Sequence, residues 1–201
     1  HYFDGILAKE SNFEQDSGLI HSWILSNRTQ KTIGWDPYPI SLRIVNWIKW
    51  MIRNNVEDHI ISQSLFKQGL RLERTIEYDL SANHLLANAK ALIFLGLYFS
   101  DNQSKQWLNK GHSIYSKEIT EQVLKDGGHY ERSPMYHSII LEDLLDIINA
   151  SNYWPGRLDE NFVKKISATA KSMIRWLSLM THNDGEVAYF NDSVKSVCPT
   201  F

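Results

Sequence analysis

The stretch SANHLLANAKALIFLGLYF, residues 81–99, decides the fold. After a polar opening, apolar side chains fall at Leu85, Leu86, Ala89, Leu92, Ile93, Leu95 and Leu97. They go nearly all the way round a helix, and such a helix is covered on most sides. Its neighbours show ordinary one-sided helical periodicity. Leu19, Ile20, Trp23 and Ile24 mark a helix over 17–27. Ile44, Val45, Ile48, Met51 and Ile52 mark one over 41–54, with Trp47 and Trp50 beside that face. Ile60, Ile61, Leu65, Phe66, Leu70 and Leu72 mark one over 57–76. Further helices are expected over 101–124, from Ser133-Pro134 to about 150, and over 159–181. Only the tail after Asn183-Asp184-Gly185 has the pattern of a turn followed by a strand. The expectation is all-α: seven or so antiparallel helices, in a bundle or a ring of helical hairpins. The buried fourth helix favours the two-layer ring.

Composition narrows the partners. The 201 residues carry a formal charge of −2, so bulk electrostatics makes no case for nucleic acid or a membrane surface. No apolar run reaches the roughly 18 residues of a membrane span. A single cysteine, Cys198, excludes an internal disulfide and a multi-cysteine metal site. Seven tryptophans are many for this length. Indoles either stack on sugar rings or fill a helical core, and core filling is the reading preferred for most of them.

Two polar islands interrupt the apolar pattern, each at a helix start. One is DLSANH, residues 79–84; the other is DGGHYERSPMYH, residues 126–137. Ser133 suits an N-cap and Pro134 the first helical position, which puts Tyr136 in the first turn. The positive end of the helix dipole favours a phenolate there. The structural alternative is that Asn83 and Ser133 only cap helices and Tyr136 only packs.

Taken in order, WDPYPISLRIVNWIKW, NHLLANAKALIFLGLYF, DGGHYERSPMYHSIILEDLLDI and HNDGEVAYFNDS resemble heparinase II/III-like polysaccharide lyases, a family with heparan sulfate and alginate or oligo-alginate lyases. The resemblance implies an incomplete (α/α) toroid over residues 1–182. Residues 183–201 are then a turn and the start of a linker or first strand toward a C-terminal β-sandwich absent from this chain. It further implies an exported bacterial enzyme whose partners are an acidic polysaccharide or oligosaccharide and that sandwich. Neither a metal nor a cofactor is required.

The implied chemistry is β-elimination at a uronate. The C5 proton is weakly acidic because the neighbouring carboxylate is negative. Asn83 and His84 are matched to the family's Asn-His pair, which binds that carboxylate and stabilises the enolate-like state. Tyr136 is matched to the family's tyrosine, which protonates the leaving oxygen or, in a syn elimination, acts as both base and acid. A further His or Tyr comes from the sandwich, so the chain alone is expected to be catalytically incomplete. Arg43 either grips a substrate carboxylate or sulfate, or pairs with an acid on a neighbouring helix. Glu131, His129 and His137 are candidate substrate-binding or orienting residues, and Trp35 and Tyr38 candidate sugar-stacking ones. Asp184 and Glu186 read as a turn. Two rival readings stay open. An α/α-toroid glycoside hydrolase would need two carboxyl groups roughly 5 to 9.5 Å apart, with Asp126 and Glu131 the nearest candidates and Asp36 or Asp79 as partner. A non-catalytic glycan-binding helical module needs none.

Overall fold

Helix starts in the computed structural model follow from short polar side chains. Asn12, Asp58, Ser133 and Asp159 each accept a backbone N–H from the first turn that follows them. Pro37 opens its helix at the position where a missing N–H costs nothing. The helices are α1 (Phe13–Ser26), α2 (Pro37–Arg53), α3 (His59–Arg74), α4 (Ala82–Tyr98), α5 (Asn102–Gln122), α6 (Pro134–Tyr153) and α7 (Glu160–Leu179). Short 3-10 turns lie at Asp4–Leu7 and Ile33–Trp35. The structure describes residues 1–80 and 82–194. Ser81 of the first polar island, the end of the expected tail strand and Cys198 lie outside the described residues.

The chain divides into two compact units, His1–His112 and Ser113–Phe201, with the division falling inside α5. In the first unit α2 packs on α3 and α4, α3 on α4, and α1 on α3. Every residue of α4 from Leu85 to Leu97 is buried, as its all-round apolar pattern requires. Trp47, Trp50 and Trp107 are at most 1 % exposed, and Trp23 and Trp35 are also buried. Five of the seven indoles therefore fill the core. In the second unit α6 packs on α7. Ile140, Leu144 and Ile147 of α6 and Ile166, Met173 and Leu177 of α7 are buried.

Helices α5 and α7 end in the same turn, 58 residues apart. After α5, Leu124 and Gly128 pair N–H to carbonyl, Tyr130 N–H reaches the Gln122 carbonyl, and Asp126 accepts the Gly128 N–H. After α7, His182 and Glu186, Ala188 and Met180, and Asp184 and Glu186 repeat the three bonds. Gly127 and Gly185 occupy the one left-handed position of each turn, at φ 91° and 85°. The tail thus forms the turn expected at Asp184. The strand expected after it is reduced to one antiparallel bridge, Thr181 with Val187, just as Val123 bridges His129. Among the described residues no longer ladder forms, because a lone hairpin with no third strand has no sheet face to bury.

Candidate functional site

Three of the residues singled out in the first unit, Tyr38, Asn83 and His84, lie where α2 meets the head of α4. Asn83 and His84 sit in the first turn of α4, both half-buried, beside the fully buried Leu85. Tyr38, from the first turn of α2, stacks on the His84 ring at 4.2 Å between centroids and 23° between planes. One face of this phenol ring is therefore taken by the imidazole. At the ring edge His84 Nδ1 lies 3.2 Å from Glu77 Oε1. Glu77 comes from the loop between α3 and α4 and was not singled out in the sequence.

Arg43 and Trp35 lie elsewhere in this unit. Arg43 is fully buried. Its Nε donates to Gln68 Oε1 at 2.9 Å, its guanidinium lies 3.8 Å over the Trp23 ring, and one terminal nitrogen faces the His1 and Pro39 carbonyls. Burial lowers its pKa to about 9. The acid on a neighbouring helix, one of the partners expected for Arg43, is not the one found. An amide, carbonyls and an indole face hold it in the core. Trp35 is 4 % exposed and its Nε1 donates to the Asn27 carbonyl, so it anchors its loop to the core.

In the second unit Ser133 caps α6 by accepting the Tyr136 N–H. Tyr136 stands half-buried in the first turn, between the buried Met135 and His137. The tail crosses the same helix end: Ser193 Oγ lies 3.0 Å from Ser133 Oγ, and Asn191 donates to the carbonyls of Glu131 and Arg132.

His129, Glu131 and His137 come together beside this helix end. His137 is fully buried, stacked on Trp176, and donates from Nε2 to the Met173 carbonyl at 3.0 Å. Its Nδ1 accepts the His129 backbone N–H at 3.3 Å. Both ring nitrogens are thus occupied within the fold. His129 is also buried; its Nε2 donates to Gln122 Oε1, and Gln122 in turn donates to Glu118. Burial, with His137 adding to it, lowers His129 to about 4, and burial lowers His137 to about 4. His129 Nδ1, carrying a lone pair, faces Glu131 Oε2 at 3.7 Å. Burial, then Asp192, raises the Glu131 carboxyl pKa. Asp126 holds its turn by accepting the Gly128 N–H. Among the described residues, no group of three or more His, Cys, Asp or Glu side chains is placed to hold a metal ion, and no helix is long and apolar enough to cross a membrane.

Comparisons with known proteins bear on both units. A family model described as Heparinase II/III N-terminus matches residues 19–198. A heparin-sulfate lyase of Bacteroides thetaiotaomicron is 24 % identical over 92 % of this chain and 30 % of its own length. A heparin-sulfate lyase of Pedobacter heparinus is 29 % identical over 58 % of this chain and 18 % of its own. Among solved structures, a heparinase III matches with a TM-score of 0.66 at 22 % identity, over 89 % of this chain and 30 % of that one. A heparan sulfate lyase of Pedobacter heparinus matches with a TM-score of 0.61 at 21 % identity, over 86 % and 29 %. The chain therefore shares the fold of the helical N-terminal part of these enzymes and spans about 30 % of the length of the first relative. With a match over residues 19–198, the chain belongs to the heparinase II/III family and corresponds to its N-terminal part.

Proposed function

We propose that the protein containing this chain is a polysaccharide lyase that cleaves uronate-containing acidic glycans by β-elimination. One observation carries the reading: the amide, imidazole and phenol that this chemistry needs stand half-buried in the first turns of α4 and α6, while their immediate neighbours are buried. Relatives named heparin-sulfate lyases support the substrate class. In this reading Asn83 and His84 bind the uronate carboxylate and stabilise the charge that moves onto it as the C5 proton leaves. Tyr136 delivers a proton to the departing 4-linked oxygen, and in a syn elimination first takes the C5 proton. His129, His137 and Arg43 serve the site indirectly, as buried braces, and Glu131 orients rather than reacts. Residues 1–182 are the lyase's helical domain, with a β-sandwich completing the site.

The test is an ultraviolet assay for the unsaturated uronate product. The full-length protein is offered heparan sulfate, alginate and other uronans. Product from at least one of them, reduced roughly 10²- to 10⁴-fold by Tyr136→Phe with the fold intact, is the expected result. Cleavage that yields saturated ends only would make the enzyme a hydrolase and overturn the reading.

A further inference from the structure

The loop before α4 contains a carboxylate whose hydrogen bonds have a single consistent direction. The Glu77 backbone N–H donates to Asn88 Oδ1 at 2.9 Å, which fixes which end of the Asn88 amide faces which way. Asn88 Nδ2 then donates to Glu77 Oε2 and to Ser41 Oγ, both at 3.1 Å. Ser41 passes its own proton to the Pro37 carbonyl at 2.8 Å. Asn88 is fully buried in α4, and Glu77 is mostly covered, its side chain 13 % exposed. The remaining oxygen, Oε1, points at His84 Nδ1, and Tyr38 holds the plane of that ring.

An ionised carboxylate only accepts. From this we infer that Glu77 is a positioning residue that fixes His84 as the Nδ1–H tautomer and leaves Nε2 as the nitrogen offered to a substrate. The neutral ring then presents a lone pair at Nε2. When it gains a proton, Glu77 balances the new charge and Nε2–H becomes a charged donor suited to a sugar carboxylate. The tautomer assignment stands on this geometry alone; the carboxylate as its target rests on the lyase reading.

Asn88 makes the assignment testable with a near-isosteric variant. In Glu77→Gln, the Asn88 Nδ2 donor still demands an oxygen, so the Gln amide must turn its NH₂ toward His84. The imidazole then has to accept at Nδ1, and its proton moves to Nε2. Long-range ¹H–¹⁵N spectra of histidine-labelled chain at mildly alkaline pH read this directly. The expected result is Nδ1–H at His84 in the parent and Nε2–H in Glu77→Gln. An Nε2–H parent, or a variant with an unchanged tautomer, would overturn the inference. The parent spectrum needs no substitution, so a misfolded variant does not block the test. In the full-length lyase, Glu77→Gln should lower kcat roughly 10²-fold or more with a much smaller change in KM. A reversed tautomer with unchanged turnover would remove the catalytic part of the role. Absence of elimination in the parent enzyme would instead sink the lyase reading and leave the tautomer result standing.

Discussion

His137 accepts the backbone N–H of His129 on Nδ1 at 3.3 Å while its Nε2 donates to the Met173 carbonyl at 3.0 Å. A proton added at Nδ1 would point at an N–H and break the first bond. Both rings are buried, and both titrate near 4 in the fold against an ordinary 6.5. Between those values the unfolded chain binds protons that the folded chain refuses. Stability is therefore fully present above about pH 6.5 and falls as the pH drops toward 4. One such group is worth on the order of 3 kcal/mol across that window. Urea unfolding of the chain at about pH 7 and pH 4.5 should show a loss of at least this size, since two rings contribute, and His137→Phe should flatten the slope. A pH-independent midpoint would contradict the buried, neutral pair.

The twin turns after α5 and α7 make a graded prediction. A Cβ on Gly127 would lie 2.5 Å from the Ser172 carbonyl oxygen, in addition to the cost of φ 91°. Gly185 shares the backbone conformation, with φ at 85°. Gly127→Ala should cost about 2 kcal/mol or more, and Gly185→Ala about 1 kcal/mol. Thermal melts should rank the parent above Gly185→Ala, and that above Gly127→Ala. Equal melting of the two variants would mean that the contact with α7 is not formed.

Arg43 has a fork-shaped role that a lysine does not fill. Arg43→Lys loses the Nε bond to Gln68 and the planar stack on Trp23. The buried Gln68 oxygen is then left to find another donor. Destabilisation of about 1–3 kcal/mol is expected, with KM for any glycan essentially unchanged. A raised KM at unaltered stability would restore Arg43 as a substrate contact.

The helices were legible in the sequence because each carries a long apolar period, and several add a capping residue, as α6 does with Ser133-Pro134. The burial of α4 was legible for the same reason. The surroundings of the polar residues were not. Arg43 lies in an amphipathic helix whose pattern says nothing about Gln68, 25 residues on. Glu77 sits in a loop without periodicity, and its partner Asn88 is hidden inside the apolar run of α4. The only available signal was that Asn88 and Lys90 are polar residues on a helix otherwise apolar all round. The resemblance supplied residue types and order, and tautomers and donor directions came only with coordinates.

The helix-cap explanation of Asn83 and its proposed role in binding a carboxylate diverge for one substitution. Asn83→Asp keeps shape and adds a negative charge in the first turn of α4. The helix dipole tolerates or slightly favours an acid there, by a few tenths of a kcal/mol. Melting should therefore be unchanged or a little higher. A uronate carboxylate placed against Asn83 would instead meet a like charge and lose a donor. In the full-length enzyme kcat/KM should fall at least roughly 10²-fold, while Asn83→Ser, which keeps a donor, should fall less. Full activity in Asn83→Asp at undiminished stability would remove Asn83 from the site and return it to the helix terminus.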